Sequence, residues 1–203
     1  MCAKPNSLNI QLKKGDILRH AIYCGSSLGS DTIYQEYAQR LGEQICQRGD
    51  DIVYGGACVG LMGTIADQVL SGGRHVIGVM PKALTDKELQ HQGLSELHIV
   101  DSMHQRKAKM ADLADSFIAM PGGVGTLEEI FEVWTAGQLG FHHKACAFYN
   151  VDGYYDELLA FVSTMVKKGF MKGLYHEKLI VSDDPEQLLE AIAAYQAPAN
   201  KWD

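Results

Sequence analysis

The chain alternates short apolar runs with longer segments in which apolar residues recur at helical spacing. The short runs are rich in β-branched and aromatic residues, which is typical of buried strands. Seven strands are predicted: LRHAIYC (18–24), DIVYG (51–55), HVIGVM (75–80), LHIV (97–100), SFIAM (116–120), ACAFYN (145–150) and KLIVS (178–182). Helices are predicted near residues 31–48, 60–72, 103–114, 126–139, 154–168 and 184–195. This alternation predicts an α/β fold: a doubly wound, Rossmann-like parallel sheet of about seven strands with helices on both faces.

Length and composition indicate one globular domain. The 203 residues are 46% hydrophobic, which is enough to bury a core without disulfides or metals. No linker or low-complexity segment interrupts the alternation, so we expect a single nucleotide-binding domain over residues 1–203, with residues 1–16 as a flexible leader.

Charge and cysteine usage limit the partners and the compartment. The formal net charge of -7 does not favour nonspecific binding to nucleic acid or to an anionic membrane. No apolar run approaches the ~20 residues of a membrane span, and the N-terminus lacks a signal-peptide core. The five cysteines are scattered without a C-x-x-C pair, which argues for a reducing compartment and against structural zinc. We therefore expect a cytoplasmic protein with no nucleic-acid or membrane partner.

Glycine-rich loops follow three of the predicted strands. Because ligands bind at the carboxyl ends of parallel strands, these loops are where chemistry is expected. They are CGSSLGS (24–30), YGGACVGLMG (54–63) and PGGVGTLEE (121–129). None matches G-x-G-x-x-G or a Walker A motif, so binding of NAD or Walker-type binding of ATP is not predicted. Free backbone N–H groups at a helix N-terminus bind anions, and the third loop fits that description best.

The end of the third loop has two interpretations. Thr126 and Glu129 could form a capping box, in which the threonine caps a helix and the glutamate returns a hydrogen bond. That interpretation leaves Gly122, Gly123 and Gly125 unexplained. In the other, a phosphate binds the loop amides and the Glu129 carboxylate lies in the same pocket.

Two cations stand near the start of a predicted helix. Arg106 and Lys107 of MHQRK fit an ordinary solvated helix face, but the helix dipole disfavours cations there, which predicts a nearby anion. His142 and His143 are adjacent and have no third ligand at metal spacing, so no metal site is predicted.

These motifs together resemble the LOG (Lonely Guy) family of cytokinin riboside 5'-monophosphate phosphoribohydrolases. The resemblance rests on MHQRK, PGGVGTLEE, YGGACVGLMG and QLGFHHKACAFYNVDGYYDELLAFV, and runs from about Ile22 to about Leu189. The family's P-G-G-x-G-T-x-x-E motif is present in full. Ala57 and Cys58 depart from its usual Y-G-G-G-S-V-G-L-M-G, which bears on the contacts of the second loop.

The resemblance implies a hydrolase that splits AMP or N6-substituted AMP into free base and ribose 5-phosphate, with no cofactor and as a homodimer or an assembly of dimers. It implies Arg106 and Glu129 as the catalytic pair. The positions implied for binding the phosphate and the rest of the substrate are Gly122, Gly123, Gly125, Thr126, Gly25, Ser26, Gly56, Met103, Lys107 and Glu88.

Glu129 suits this chemistry because positive charge develops on the ribose as the N-glycosidic bond breaks. We expect the helix N-terminus to keep its carboxylate ionised, which makes it a candidate base and a poor general acid. Solvent, a partner subunit or the loop around Glu88 could protonate the departing base.

Two other functions are alternatives to this enzyme. A nucleotide-binding sensor or carrier needs the glycine loops but no carboxylate against the ribose, and a Glu129 held in the Thr126 cap would favour it. A pyridoxal-phosphate lysine decarboxylase is rejected, because the chain is short for such an enzyme and no lysine stands in a recognisable cofactor setting.

Overall fold

A computed structural model describes residues 17–85, 90–199 and 201, so the leader predicted over residues 1–16 lies outside the described residues. Seven parallel strands form one sheet in the order β4-β3-β2-β1-β5-β6-β7. Each strand falls on a predicted run, which confirms the predicted fold class. The strands are β1 (Arg19–Tyr23), β2 (Asp51–Tyr54), β3 (Val76–Pro81), β4 (Glu96–Val100), β5 (Ser116–Ala119), β6 (Ala145–Tyr149) and β7 (Ile180–Ser182).

The helices fall close to the predicted segments, with three short additions. The α-helices are α1 (Ile33–Arg48), α2 (Gly60–Ser71), α3 (Lys82–Thr85), α4 (Met103–Leu113), α5 (Val124–Gln138), α6 (Asp156–Lys167), α7 (Gly173–Glu177) and α8 (Pro185–Ala193). Helices α3 and α7 and a 3-10 turn over Val151–Gly153 were not predicted. Each has at most five residues, too few for an apolar repeat to show in the sequence.

The sheet is covered on both faces. Helices α1, α2 and α8 pack on one face, and α4, α5 and α6 pack on the other. Every residue of β2, β5 and β6 is buried. Strands buried on both faces read as continuous apolar runs rather than as alternating ones, which is why their sequences predicted them so well.

The strand order places a crevice at the centre of the sheet. The first half of the chain runs outward from β1 to β4, and the second half starts again at β5 on the other side of β1. The carboxyl ends of β1 and β5 are level, with Tyr23 paired to Ala119. The first and third glycine loops therefore leave the sheet side by side, at the switch point where doubly wound folds bind ligands.

A buried polar network lies at the amino ends of the strands, at the opposite end of the sheet from this crevice. His20 Nδ1 is 2.7 Å from Ser116 Oγ, and His20 Nε2 is 3.3 Å from Asp50 Oδ2. This Ser-His-Asp arrangement is at most 3% exposed, so no substrate can reach it. Its hydrogen bonds tie the amino ends of β1 and β5 to the turn before β2.

No helix in the described part of the chain is long and apolar enough to cross a bilayer.

Candidate active site

The third glycine loop leads directly into α5. The helix begins at Val124 after Gly123, which forms its N-cap without a side-chain hydrogen bond. Thr126 therefore lies inside the first turn, and of the two interpretations of this loop the capping box is wrong. A Cβ on Gly122 would lie 2.2 Å from Thr126 Oγ1 and 2.7 Å from Gly25 N. Glycine is required at residue 122 because the loop folds tightly against its own helix and against the first loop.

Gly123 and Gly125 have no such internal reason to be glycine. A Cβ built on either one meets no protein atom within 4 Å. The N–H groups of the first helical turn lack partners within the helix, and three residues of this segment, Gly123, Val124 and Gly125, are exposed. The predicted binding of an anion at this loop stays a prediction, and the exposed glycines leave room for it.

Arg106 and Glu129 meet beside this loop. Arg106, the fourth residue of α4, places Nη1 3.2 Å from Glu129 Oε1, and its Nε donates to Val79 O at 3.1 Å. The two side chains are only 12% and 11% exposed. The anion predicted near the cations of MHQRK is thus, for Arg106, the Glu129 carboxylate.

The second glycine loop makes room for this guanidinium. A Cβ on Gly55 would lie 2.2 Å from Arg106 Nη2. The sequence singled out Gly56, which has a left-handed φ of 81° and serves the turn after β2, but missed Gly55. The paired glycines were visible, whereas the arginine that needs the space lies about fifty residues further along the chain.

Burial governs the ionisation of Glu129. Removal from water raises the pKa of its carboxyl, and the Arg106 charge opposes that rise. The expectation that the helix N-terminus holds Glu129 ionised is wrong, because Glu129 is the sixth residue of α5 and the dipole acts within the first turn. The ionised form depends on Arg106 instead.

Lys107 faces two carboxylates of α5. Its Nζ lies 2.8 Å from Glu132 Oε2 and is also bonded to Glu128. Hydrogen bonds from Lys107 to Glu128 and Glu132 raise the pKa of the lysine. Lys107 therefore joins α4 to α5 in this structure, and its assignment to substrate binding stays a prediction.

The first and second loops pack directly on each other. A Cβ on Gly60 would lie 2.3 Å from the backbone carbon of Ser26, and Leu61 N donates to Gly25 O at 3.1 Å. Gly25 and Ser26 thus stand between the second loop and the third. Met103 begins α4 at the same edge, 47% exposed, with its sulfur 3.9 Å from Arg106 Nη1. Glu88 lies outside the described residues.

Comparison with known proteins shows which family the chain belongs to. A family model described as "possible lysine decarboxylase" matches residues 62–192. The cytokinin riboside 5'-monophosphate phosphoribohydrolase LOG3 of Arabidopsis thaliana is 43% identical over 190 residues, covering 94% of this chain and 88% of the relative. The probable enzyme LOGL2 of Oryza sativa subsp. japonica is 45% identical, covering 90% of this chain and 75% of the relative. The chain belongs to the LOG family.

Solved structures share the fold of this LOG-family chain at much lower identity. A molybdenum cofactor binding protein of Rippkaea orientalis has a TM-score of 0.65 at 17% identity, covering 89% of this chain and 98% of that one. The molybdenum cofactor carrier protein of Chlamydomonas reinhardtii has a TM-score of 0.65 at 19% identity, covering 88% and 96%. These likenesses concern the fold alone.

Two tyrosines near the site have contacts that the sequence did not predict. The helix predicted near residues 154–168 begins at Asp156, so Tyr154 and Tyr155 precede it. The Tyr154 hydroxyl donates to Gly122 O at 2.7 Å, and the Tyr155 hydroxyl donates to Met120 O at 2.6 Å. A hydroxyl that bonds a distant backbone carbonyl leaves no pattern in the sequence.

Within the described ranges, no group of three or more histidine, cysteine or acidic side chains is placed to hold a metal ion.

We expect Gly55→Ala to displace the Arg106 guanidinium while leaving the fold intact, because a flexible side-chain end can move away from the added methyl group. Since the Arg106 charge lowers the pKa of Glu129, its withdrawal raises that pKa further. A 13C NMR titration of the labelled carboxyl measures the change. Gly123→Ala is the control, because its methyl group meets no protein atom within 4 Å. Equal titration of Glu129 in Gly55→Ala and wild type would contradict the proposed packing.

Proposed function

We propose that this chain hydrolyses the N-glycosidic bond of AMP or of N6-substituted, cytokinin-type AMP, releasing the free base and ribose 5-phosphate. The observation that carries the proposal is the buried Arg106–Glu129 pair beside a loop in which Gly123 and Gly125 face open space. The activity named for relatives that are 43 to 45% identical over most of the chain supports it.

The 5'-phosphate binds the start of α5 in this proposal. The N–H groups from Gly123 to Thr126 and the positive end of the helix dipole provide the anion site. Because Gly123 and Gly125 lack side chains, phosphate oxygens can come within hydrogen-bond distance of the backbone. Phosphate held there leaves the ribose to extend toward Glu129, one turn further along α5.

Glu129 and Arg106 then act on the ribose. As the bond from C1' to the base nitrogen breaks, its electron pair stays on the base and positive charge develops on the sugar. The ionised Glu129 stabilises that charge, and the Arg106 guanidinium, which cannot lose its proton, holds the carboxylate in position. Water then forms the new bond to C1' and passes a proton to Glu129, whose raised pKa favours acceptance. The base takes up one proton as it leaves, for which solvent, a partner subunit and the loop around Glu88 are the candidate donors.

The non-catalytic sensor or carrier is the weaker interpretation. It was expected to show Glu129 locked in the Thr126 cap, but Glu129 faces Arg106 in a buried ion pair. A protein that only binds has no use for so costly a buried carboxylate. The decarboxylase of the family model's description would need a free lysine amine for a Schiff base, whereas Lys107, the lysine beside the pair, is bonded to two glutamates.

We infer a cytoplasmic location from the cysteines. Cys24, Cys46, Cys58 and Cys146 are free thiols within the part of the chain that the structure describes. Unpaired cysteines of this number fit a reducing compartment.

We also propose a homodimer or an assembly of dimers. The apolar segment IFEVWTAGQLGF (130–141) is partly internal, since Trp134 is 7% exposed. Large apolar side chains nevertheless remain exposed, at 79% for Phe141, 57% for Phe161 and 88% for Phe170. Light scattering at micromolar concentration should give at least twice the 22.3 kDa chain mass. A mass of one chain would contradict this proposal.

The function is tested by incubating the protein with AMP, isopentenyl-AMP and the two matching nucleosides, and measuring free base. We expect both monophosphates to be cleaved, with kcat/KM about 10² to 10⁴ above the nucleosides, because the nucleosides forfeit charge-assisted hydrogen bonds. Glu129→Gln should lose about 10²-fold or more in kcat/KM, since it keeps the shape but not the charge. Because it leaves Arg106 without its charged partner, the melting temperature is measured beside the activity.

Two results would count against the proposed function. Equal release of free base from nucleosides and monophosphates would contradict the proposed role of the 5'-phosphate in substrate binding. Glu129→Gln activity within a few-fold of wild type would remove Glu129 from it.

The phosphate loop has a separate test in Gly125→Ala. Alanine is favoured over glycine inside a helix and meets no protein atom there, so the melting temperature should stay level or rise. The methyl group would occupy the space proposed for the phosphate, so KM for AMP should rise about tenfold or more, as for one charge-assisted hydrogen bond. An unchanged KM would show that phosphate does not approach this glycine.

A further inference from the structure

Three consecutive backbone carbonyls of the third glycine loop are each held by a donor from elsewhere in the chain. Met120 O accepts from the Tyr155 hydroxyl at 2.6 Å, Pro121 O accepts from Gly25 N at 3.0 Å, and Gly122 O accepts from the Tyr154 hydroxyl at 2.7 Å. Such a run of external donors fixes the orientation of each peptide plane just before α5.

The last of these bonds has a direct effect on the proposed phosphate site. In a trans peptide the C=O and the following N–H point in opposite directions. The described residues contain no cis peptide, so fixing Gly122 O also fixes the N–H of Gly123, the N-cap of α5. A glycine-rich loop would otherwise sample several orientations of this plane.

We propose that Tyr154 is a positioning residue for phosphate binding: its hydroxyl holds Gly122 O so that the Gly123 N–H faces the anion. This inference rests on the proposed function, since it assigns the loop to phosphate. Tyr154 acts through the backbone and has no role in breaking the glycosidic bond. Tyr154 lies outside all three glycine loops, so the inference adds a residue to the proposed phosphate site.

The turn after β6 is built to deliver this hydroxyl. Asp152 has a left-handed φ of 51°, which is uncommon for a residue other than glycine. The Asn150 side chain spans the turn, accepting from Tyr155 N and donating to Asp156 Oδ1, both at 2.7 Å. The backbone at Asp152 is strained, and the hydrogen bonds of Asn150 hold the turn in place. Such strain next to a site persists only when the surrounding structure maintains it.

Ring packing restricts the Tyr154 side chain further. Its ring lies edge-on to Tyr155 at 4.9 Å and edge-on to Tyr34 at 5.8 Å. Tyr34 belongs to α1, which follows the first glycine loop. The tyrosine is therefore held between α1 and the turn, and its hydroxyl meets Gly122 O without a large loss of side-chain freedom.

Tyr154 is a better test position than Tyr155. Tyr155 is 2% exposed, so Tyr155→Phe would leave Met120 O buried without this hydrogen bond and would lower the stability of the fold. Tyr154 is 44% exposed, and Tyr154→Phe removes one hydrogen bond while keeping the ring contacts. Tyr37→Phe is a control for the loss of a tyrosine hydroxyl, because Tyr37, one turn after Tyr34 on α1, packs at 5.9 Å against Tyr149 and not against Tyr154.

The experiment compares the full-length wild type, Tyr154→Phe and Tyr37→Phe. Cleavage of AMP and of adenosine gives KM and kcat, and isothermal titration with ribose 5-phosphate gives a Kd that does not require turnover. We expect Tyr154→Phe to raise KM for AMP and Kd for ribose 5-phosphate about three- to tenfold, the effect of one hydrogen bond. Its kcat, its melting temperature and its kcat/KM for adenosine should stay close to wild type.

Each other result overturns the inference. Equal losses on AMP and adenosine would mean a general structural role, and no loss on AMP would mean that Gly122 O needs no support. If wild type cleaves neither substrate, the proposed function fails, and the ribose 5-phosphate titration then decides on its own. An equal Kd in wild type and Tyr154→Phe, or no binding by either, would remove Tyr154 from the site.

Discussion

The buried ion pair between Arg106 and Glu129 is the interaction on which the site depends. Charges this far removed from water are stable only when each has its partner, so α4 and α5 must keep their relative position. The bonds from Lys107 to Glu128 and Glu132 join the same two helices at their outer edge. Gly55 completes the arrangement by leaving room for the guanidinium beneath.

The pair also explains how a carboxylate can serve in so enclosed a place. Burial favours the neutral acid at Glu129, and the adjacent guanidinium opposes that effect and so supports the negative charge that the proposed mechanism requires. A change that moves Arg106 thus alters the charge of Glu129 as well as its position. Arg106 contributes to the site even without contact to the reacting bond.

The glycines of the three loops fall into two physical groups. Gly55, Gly60 and Gly122 are small because protein atoms occupy the space where a side chain would stand. Gly123 and Gly125 face open space, so no protein atom accounts for their lack of a side chain. In the proposed function the glycines of PGGVGT combine a folding requirement with a ligand requirement, which the sequence alone cannot separate.

The fold was predictable because its signals are local and repeated: buried parallel strands read as apolar runs, and long helices show their period. Arg106 and Glu129 were reached through the family resemblance, which the helix-end chemistry of their segments supported. The capping box failed because α5 begins two residues before Thr126, and the helix-dipole argument failed for the same reason. Gly55 and Tyr154 escaped prediction because their partners, Arg106 and Gly122, are distant in sequence.

The crystal structure of the Glu129→Gln variant with bound AMP is the most direct measurement of this arrangement. We predict the 5'-phosphate within hydrogen-bond distance of the N–H groups from Gly123 to Thr126, and C1' of the ribose against the side chain at residue 129. A phosphate bound at another edge of the sheet, or a ribose turned away from residue 129, would contradict the proposed roles of the glycine loop and of the ion pair.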